Sequence, residues 1–449
     1  MMPKVLIANR GEIAVRIIRA CRELGLETVA VYSTADQDSL HVRLADEAVC
    51  IGGPSPKESY LNINNIISAA LATGVSLIHP GYGFLSENAQ FAEIVEGCHI
   101  TFIGPSAASM RSMGDKATAK KIAKAAHVPV VTGSEGTIET LSEGLAVARK
   151  IGYPVMLKAT NGGGGRGISI IRSEAEFKTI FHKTSLEAET SFGSGRLYVE
   201  KYIETPRHIE VQILADRSGN VYYLGERDCS LQRRNQKIIE ETPSPLIDVS
   251  LRRRMGQAAI RIAKAVKYLG AGTMEFLVDQ KFNFYFIEMN TRIQVEHPVT
   301  EAVTGIDIVK EQIRIALNQP VGFKRTEITS RGHAIECRIN AEDTESNFMP
   351  CAGRIEKVSL PGGMGIRVDT HIYAGYTIPC HYDSLLAKLV AHAPTRAEAI
   401  EKMRAALKEF CVEGIKTNID FLECVIGNES FINGHYDTGF ITRLLESAK

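Results

Sequence analysis

The sequence predicts an α/β chain of two or three domains, with a parallel sheet in the amino-terminal domain. Its 449 residues are about three times the usual size of a single domain. Over roughly the first 100 residues, short apolar segments alternate with amphipathic helical segments, a pattern that is typical of parallel βαβ units. Farther along, two strand-like segments flank a short turn at Lys281–Asn283, which indicates an antiparallel hairpin.

The first elements of the chain predict a βαβ unit. Val5–Ala8 and Thr28–Tyr32 are strand-like, and Ile13–Leu24 between them is an amphipathic helix closed by a glycine. The turn Asn9–Glu12 contains one glycine, whereas a pyrophosphate-binding turn has G-x-G-x-x-G, so the pattern argues against a dinucleotide site. The alternation continues through the segments Ala48–Ile51, Asn62–Ala72, Val75–His79, Ala89–Glu96 and Ile100–Ile103.

The loop His79–Asn88, HPGYGFLSEN, follows the carboxyl end of a predicted strand. Open α/β sheets bind ligands at that edge, so one interpretation is a loop that faces the substrate. A turn punctuated by proline and glycine, in which Glu87 or Asn88 caps the next helix, explains the residues equally well. Both interpretations stay open on the residue pattern alone.

A glycine-rich run follows a hinge at 128–136 and a strand at Val155–Lys158. The run, Asn161–Gly167, joins that strand to a second one at Ile168–Ile171 and therefore predicts a hairpin tip. A Walker-type loop is excluded because no helix follows. The glycines favour a lid that closes over phosphates rather than an ordinary flexible turn, and Lys158 would point a cation at the same phosphates.

The run Gly225–Lys237, GERDCSLQRRNQK, is unusually polar and basic. A solvated charged face containing Arg233, Arg234 and Lys237 explains it as well as a ligand site does.

A third region begins near Arg331. Between the glycine-rich run and Arg331 the predicted elements are the segments Leu197–Ile203, His208–Ala215, Asp248–Lys267 and Ile306–Leu317. The third region is predicted to contain the segments Ala334–Ile339, Ile355–Leu360, Ile366–Val368 and Arg396–Phe410, with a further helix near the carboxyl end.

The stretch Phe284–Glu301 concentrates ionisable and amide side chains in what reads as one extended run. Glu288, Asn290 and Arg292 fall at alternate positions, so the two-residue period of a strand predicts that all three share one face.

The hairpin turn predicts that a second strand, Gly272–Val278, returns beside this stretch and brings Glu275 near Glu288 and Asn290. Two carboxylates and an amide oxygen suit Mg²⁺, whose coordination is usually completed by substrate phosphates. The sequence therefore predicts a magnesium site and a nucleotide.

Composition limits the partners and the compartment. Lysine plus arginine equals aspartate plus glutamate, at 52 residues each, which argues against nucleic acid or a polybasic membrane contact. No apolar run of about 18 residues occurs, and we expect a soluble, cytoplasmic protein. The nine cysteines are scattered and form no C-x-x-C pair, so the sequence predicts neither a disulfide framework nor a zinc site.

Eight motifs, in order along nearly the whole chain, resemble those of the biotin carboxylase subunit of biotin-dependent carboxylases of the acetyl-CoA carboxylase type, within the ATP-grasp superfamily. Motifs of this length are far more specific than a lone glycine motif. They are VLIANRGEIA, HPGYGFLSEN, MGDK, GGGGRG, ERDCS, EMNTRIQVEHPVTE, RGHAIECRINAED and YDSLLAKL.

The resemblance implies an ATP-grasp fold in three domains. It implies a Rossmann-like amino-terminal domain at 1–114 and an ATP-grasp domain at 115–325, with a mobile glycine-rich lid at about 131–203. A carboxyl-terminal α/β domain at 326–449 completes the chain.

The resemblance also implies a two-step reaction in which ATP phosphorylates bicarbonate to carboxyphosphate, which then carboxylates N1′ of biotin on a carrier protein. The implied cofactors are ATP and two Mg²⁺ or Mn²⁺ ions, with carrier-bound biotin as the substrate. The residues implied to bind the nucleotide and its phosphates are Lys116, Lys158, Gly162, Gly163, Gly164, Gly165, Glu200, Lys201, Ile203, His208, Gln232, Asn235, Leu277, Glu275 and Glu288.

The metal and bicarbonate residues are implied in the same way. The implied metal ligands are Glu275, Glu288 and Asn290, and the implied bicarbonate ligands are Lys237, Arg292, Gln294 and the backbone of Val295. Bicarbonate is an anion whose planar oxygens suit a guanidinium group.

Glu296 is implied to be the general base, and a strand would place it on the same face as Gln294. The alternative is a carboxylate that pairs with Arg292. Arg338 is implied to stabilise negative charge on the ureido oxygen of biotin, and Tyr82 to line the biotin pocket.

The chain departs from the family pattern at two positions, and both are asparagine. Asn235 stands in QRRNQK where the family commonly has histidine, and Asn161 opens the glycine run. Asparagine adopts positive φ and still donates and accepts hydrogen bonds, so we expect altered nucleotide affinity at most. Cys229 is interpreted as a buried, inert thiol.

The chain shows no A-M-K-M-like biotin attachment motif and no carboxyltransferase region. We therefore expect a separable subunit that acts with a biotin carboxyl carrier protein and carboxyltransferase subunits, and the resemblance implies a homodimer. Acetyl-CoA, another acyl-CoA and pyruvate all stay open as the final acceptor. The alternatives are an ATP-grasp ligase that joins a carboxylate to an amine, and a catalytically silent ATP-binding regulatory subunit.

Overall fold

A computed structural model describes residues 3–159 and 167–447. Asn161 and the four glycines Gly162–Gly165 of the predicted lid tip lie outside the described residues. Within the described ranges we find no helix with the length and apolar character needed to cross a bilayer.

The amino-terminal region forms the predicted parallel sheet. Its elements are β1 (Lys4–Ile7), α1 (Gly11–Glu23), β2 (Glu27–Tyr32), α2 (Leu40–Leu44), β3 (Glu47–Cys50), α3 (Ile63–Thr73), β4 (Leu77–His79), α4 (Ala89–Gly97), β5 (Thr101–Phe102) and α5 (Ala107–Gly114). The strand order is β3-β2-β1-β4-β5, and every pairing is parallel. Helices cover both faces, which explains why β1 is a nearly continuous apolar strand.

The next region builds a small antiparallel sheet covered by helices. Its elements are α6 (Lys116–Ala125), α7 (Leu141–Ile151), β6 (Val155–Ala159), β7 (Ile168–Ile171), α8 (Glu174–Phe192) and β8 (Leu197–Lys201). Lys158 pairs with Ile168, which confirms the antiparallel strands on either side of the glycine run. Val155 and Leu157 are buried against the helices, so the strand period turns Lys158 to the opposite face.

A long run of strands and helices follows. It comprises β9 (Arg207–Ala215), β10 (Val221–Arg233), β11 (Gln236–Thr242), α9 (Val249–Ala265), β12 (Gly270–Val278), β13 (Phe284–Asn290), α10 (His297–Thr304), α11 (Ile308–Ala316) and β14 (His333–Asn340). The β12–β13 hairpin forms as predicted, with Glu275 opposite Glu288 in the register.

The carboxyl-terminal region adds the remaining elements. They are β15 (Glu342–Asp343), β16 (Met349–Pro350), β17 (Gly353–Arg354), β18 (Lys357–Ser359), β19 (Ile366–Thr370), β20 (Thr377–Ile378), β21 (Leu385–Ala393), α12 (Arg396–Glu409), β22 (Cys411–Glu413), α13 (Ile419–Ile426), α14 (Glu429–Ile432) and α15 (Phe440–Ser447). One sheet, in the order β13-β12-β9-β10-β11-β14-β21-β19, runs from the preceding region into this one. The pairing of Ile239 with Cys337 joins the two regions through β11 and β14.

Phe284–Glu301 is not one extended run, so this part of the sequence interpretation is wrong. Strand β13 ends at Asn290, residues 291–296 form an irregular loop, and α10 begins at His297. The fixed φ of Pro298 suits the first turn of a helix, and it starts α10 here. Arg292 is therefore placed by the loop rather than by the strand period, and Glu296 is the residue that precedes the helix.

The solvated-face interpretation of Gly225–Lys237 is also wrong for its last residue. The run forms β10 and the start of β11, joined by a tight turn at Arg234 and Asn235. Both turn residues have positive φ, at 49° and 63°, as a two-residue hairpin turn requires. The turn directs Lys237 inward, and its side chain is only 11% exposed.

Arg227 on β10 ties four parts of the fold together. Its side chain is fully buried, and its guanidinium donates hydrogen bonds into β9, β12, the 291–296 loop and α10. The acceptors are Glu210, Gln212, Thr273, Gln294 and Thr300.

We predict that Arg227→Met lowers the free energy of unfolding by about 3–5 kcal/mol, because it removes one partner of a buried ion pair. Urea unfolding followed by circular dichroism measures the loss. The matched control is Arg404→Met, whose side chain is 39% exposed and pairs with Glu401, and we expect a change below about 1 kcal/mol there. Equal losses in the two variants would contradict the account.

Candidate active site

A cavity of about 930 Å³ opens between the β6–β8 sheet and the large sheet. Its walls come from strands of both sheets, from the first turns of α6 and from the segment that leads into α15. It contains every residue of the described part that the resemblance implied for the nucleotide, namely Lys116, Lys158, Glu200, Lys201, Ile203, His208, Gln232, Asn235, Leu277, Glu275 and Glu288.

Two lysines share one buried carboxylate at the cavity wall. Nζ of Lys158 lies 2.6 Å from Oε2 of Glu200, and Lys120 contacts the other oxygen of the same carboxylate. Burial, together with neighbouring lysines that include Lys116, lowers the pKa of Lys158 to about 8 and that of Lys120 to about 7. One carboxylate cannot compensate two buried ammonium groups, so the wall carries excess positive charge.

Lys120 is a cavity residue that the sequence analysis missed. It lies four positions after Lys116 on α6, and this spacing puts both lysines on one helical face. That spacing is the signal that could have identified it.

Carboxylate and amide oxygens meet on the β12–β13 hairpin. Nδ2 of Asn290 donates to Oε1 of Glu275 over 2.9 Å, and Glu288 faces Glu275 across the strands. Burial, reinforced by Glu275, raises the pKa of Glu288. A divalent cation relieves such like-charge repulsion, and this all-oxygen donor set fits Mg²⁺ or Mn²⁺.

His208 supports the same carboxylate from β9. Its Nε2 lies 3.0 Å from Oε2 of Glu275, and its Nδ1 is 2.7 Å from Nε2 of Gln232. Although burial opposes the charged imidazole, Glu275 raises the pKa of His208.

Lys237 lies at the centre of the site. Its Nζ is 2.5 Å from Glu210 Oε2, 2.9 Å from Glu275 Oε1 and 2.7 Å from Glu296 Oε1. Burial opposes the charge, yet the three carboxylates raise the pKa of Lys237 well above its ordinary value. The same ammonium, against the effect of burial, holds the pKa values of Glu275 and Glu296 well below theirs.

Glu210 is a second residue that the sequence analysis missed. It is fully buried on β9, where it binds Lys237 and Arg227. A buried acidic residue between two apolar neighbours, here Ile209 and Val211, is rarely tolerated without a partner, and this pattern is the signal that could have identified Glu210.

Glu296 is held by two cations and is not the partner of Arg292. Its side chain is 2% exposed, and Oε2 lies 2.9 Å from the Arg338 guanidinium. Arg338 also donates to Glu240 over 2.7 Å, and burial raises the pKa of Glu240 to about 7 despite that contact. The alternative role of Glu296 as the carboxylate paired with Arg292 is therefore wrong.

Arg292 pairs instead with Glu87, a residue of the HPGYGFLSEN loop. Its Nε lies 2.9 Å from Glu87 Oε2, and it also donates to Oδ1 of Asn290 over 3.0 Å. Asn88, the next residue of that loop, caps α4 by accepting from the Phe91 amide. The capping interpretation of the loop is therefore confirmed, through Asn88, whereas a loop that faces the substrate stays a prediction.

Tyr82 and Cys229 each contact a buried glutamate. The Tyr82 hydroxyl donates to Glu12, and burial raises the pKa of Tyr82 well above its ordinary value. Cys229 is buried with Sγ 4.0 Å from Glu296 Oε1, and burial raises its thiol pKa well above the usual value. A thiol in that state is a poor nucleophile.

Three family models match the chain. Their descriptions are biotin carboxylase, N-terminal domain, at residues 1–110; carbamoyl-phosphate synthase L chain, ATP binding domain, at 115–323; and biotin carboxylase C-terminal domain at 336–443. A biotin carboxylase of Nostoc sp. strain PCC 7120 is 57% identical over 441 residues, which cover 98% of this chain and 99% of the relative.

Solved structures agree with these matches. A biotin carboxylase–βγ-ATP complex from Campylobacter jejuni superposes with a TM-score of 0.96 at 48% identity, covering 99% of each chain. The biotin carboxylase domain dimer of Hydrogenobacter thermophilus 2-oxoglutarate carboxylase, in complex with MgADP, ADP and bicarbonate, gives a TM-score of 0.95 at 49% identity, covering 99% of this chain and 98% of that one.

We predict that Lys237→Met destabilises the fold by about 3–5 kcal/mol near neutral pH, because buried carboxylates lose their shared ammonium. In the wild type the lowered pKa values of Glu275 and Glu296 contribute stability above the unfolded value of about 4.3, and that contribution is lost as the pH falls. The difference between wild type and variant should therefore be full near pH 7 and shrink below about pH 4.3.

Thermal unfolding of the wild type and the variant near pH 7 and below about pH 4.3 measures this difference in stability. Lys357→Met is the control, since its side chain is 64% exposed and pairs with exposed Glu413. A Lys237→Met loss that does not vary with pH would contradict the prediction.

Proposed function

This chain belongs to the biotin carboxylase family, and we propose that its cavity and the cluster around Lys237 carry out the ATP-dependent carboxylation of biotin with bicarbonate. The observation that carries the proposal is the shared ammonium. Lys237 pairs both with Glu275, a predicted metal ligand, and with Glu296, the predicted general base. One ammonium group therefore joins the proposed site of phosphoryl transfer to the proposed site of proton transfer.

The cavity is proposed to hold ATP with its phosphates at Lys116 and Lys158. The excess positive charge of the wall formed by Lys120 and Lys158 suits polyphosphate. Glu275, Glu288 and Asn290 would hold Mg²⁺ or Mn²⁺, which when bound neutralises charge as the γ-phosphoryl group moves.

Bicarbonate is proposed to lie between Arg292, Lys237 and the 291–296 loop. Gln294 is held by two groups, since its Nε2 donates to Glu275 over 2.9 Å and its Oε1 accepts from Arg227 over 3.0 Å. A preorganised pocket of donors binds an oxyanion without reorganisation at the moment of reaction.

Glu296 is proposed to remove the proton of bicarbonate. Lys237 and Arg338 hold the pKa of Glu296 well below its usual range, so the group is present as a carboxylate that accepts a proton. Arg338 would then stabilise the ureido oxygen of biotin, and Tyr82 would line the biotin pocket.

We propose that the carboxyl group passes to biotin on a separate carrier protein, and that the carboxyltransferase subunits of a biotin-dependent carboxylase such as acetyl-CoA carboxylase then transfer it from biotin to the final acceptor. The Hydrogenobacter thermophilus relative belongs to a 2-oxoglutarate carboxylase and is described as a dimer, which supports a homodimer here. The final acceptor is a property of the carboxyltransferase. We also propose that the three domains span residues 1–114, 115–325 and 326–449.

We predict that Glu296→Gln lowers biotin carboxylation at least about 100-fold, because an amide has nearly the same shape but cannot accept the proton, and its NH2 group faces the Lys237 or Arg338 donor. Transfer of labelled bicarbonate to free biotin, with ADP release followed in the same tube, measures this. Glu345→Gln is the control, since that side chain is 82% exposed and pairs with Lys416. Label transfer at the wild-type rate in Glu296→Gln would refute the assignment of the base.

We also predict that nucleotide binding takes up protons near pH 8 and weakens as the pH rises from about 7 to about 9. The free protein has lysines with pKa values of about 7 and about 8, and added phosphate charge raises both. Calorimetric titration with ADP in two buffers of different ionisation enthalpy counts the protons.

The informative variant is Lys158→Arg, whose guanidinium stays charged and should reduce the uptake. Lys408→Arg, with a side chain 63% exposed, should leave it unchanged. Proton release on binding would show that the lysines are not the responding groups.

A further inference from the structure

Lys388 on β21 is fully buried, and its ammonium meets oxygen atoms from three directions. Nζ donates to the backbone carbonyl of Val295 over 3.0 Å, and it lies 3.1 Å from Glu12 Oε2 and 4.0 Å from Asp369 Oδ2. Burial of an ammonium group is costly unless partners compensate it. An apolar residue would fill this strand position without that cost, so the presence of a lysine indicates a specific role.

The contacts of Lys388 join separate parts of the chain. Glu12 belongs to α1 of the amino-terminal sheet region, and its other oxygen accepts from the Tyr82 hydroxyl. The ring centre of Tyr82 lies 5.9 Å from the ammonium. Val295 belongs to the loop between β13 and α10. The lysine therefore links the loop of the bicarbonate subsite to the wall of the proposed biotin pocket.

The hydrogen bond to Val295 constrains the residue that follows. A planar trans peptide has its carbonyl and the next amide in one rigid unit, so a fixed Val295 oxygen fixes the start of Glu296. On the other side of that residue, Arg338 holds the Glu296 carboxylate. Arg338 and Lys388 stand directly opposite each other in the β14–β21 register. Two neighbouring cations thus hold Glu296, Lys388 through the peptide that precedes it and Arg338 through its carboxylate.

The amide of Val295 points to a ligand. Within residues 3–159 and 167–447, its N–H makes no hydrogen bond, although the residue is half-buried. An unpaired amide donor in such a place is costly unless a ligand or water accepts from it.

We propose that Lys388 is a positioning residue of the bicarbonate subsite, which holds the Val295 carbonyl and with it the backbone on either side, so that the Val295 amide and the Glu296 carboxylate face the anion. This rests on the proposed function, which puts bicarbonate there. Lys388 does not line the nucleotide cavity, so the inference predicts a defect for one substrate and not the other.

The experiment compares Lys388→Met, which removes the donor, with Lys388→Arg, which keeps a donor and a charge. Steady-state kinetics with free biotin are measured against bicarbonate and against ATP. We expect Lys388→Met to raise KM for bicarbonate about tenfold, the effect of one lost hydrogen bond to a charged group, and to leave KM for ATP within about twofold. Lys388→Arg should recover most of the bicarbonate affinity.

A Lys388→Met enzyme with wild-type kinetics, or one in which both KM values rise equally, overturns the inference. If the wild type itself transfers no label from bicarbonate to biotin, the proposed function fails as well, and the two failures are thereby distinguished. Circular dichroism checks that each variant is folded. Should Lys388→Met not fold, Glu12→Gln takes its place, since it removes the nearest carboxylate that places the ammonium. An unchanged ratio of the two KM values in Glu12→Gln then overturns the inference.

Discussion

The site depends on one ammonium group, that of Lys237, which pairs with three buried carboxylates at once. Glu210 comes from β9, Glu275 from β12 and Glu296 from the loop before α10, so without the lysine three chain segments would carry like charge into one small volume. Burial makes that arrangement costly, and shared pairing makes it stable. The tight turn after β10 matters for this reason, because it directs Lys237 inward.

The other charged groups extend this arrangement. Arg227 approaches Glu210 from β10, and Arg338 approaches Glu296 from β14. Arg338 reaches the site because β11 pairs with β14, which joins the ATP-binding part and the carboxyl-terminal part in one sheet. The same ion pairs therefore hold the fold together and fix the geometry of the cluster that is proposed to carry out the reaction.

Local patterns in the sequence predicted what neighbouring residues determine. The parallel sheet, the β12–β13 hairpin and the approach of Glu275 to Glu288 follow from strand period and turn chemistry. The approach of Glu87 to Arg292 and the burial of Lys237 depend on contacts between distant segments, which residue periodicity does not record. The strand period also failed beyond Asn290, because Pro298 starts a helix where the alternation of polar residues suggested more strand.

The most direct test of this account is the protonation of Lys237, followed by NMR of protein carrying ¹⁵N-labelled lysine, with Lys237→Arg used to assign the signal. The account predicts an Nζ resonance that stays in the ammonium form to the highest pH at which the protein remains folded, while the resonances of Lys120 and Lys158 titrate near 7 and 8. A Lys237 resonance that titrates at or below the ordinary lysine value of about 10.4 would contradict it.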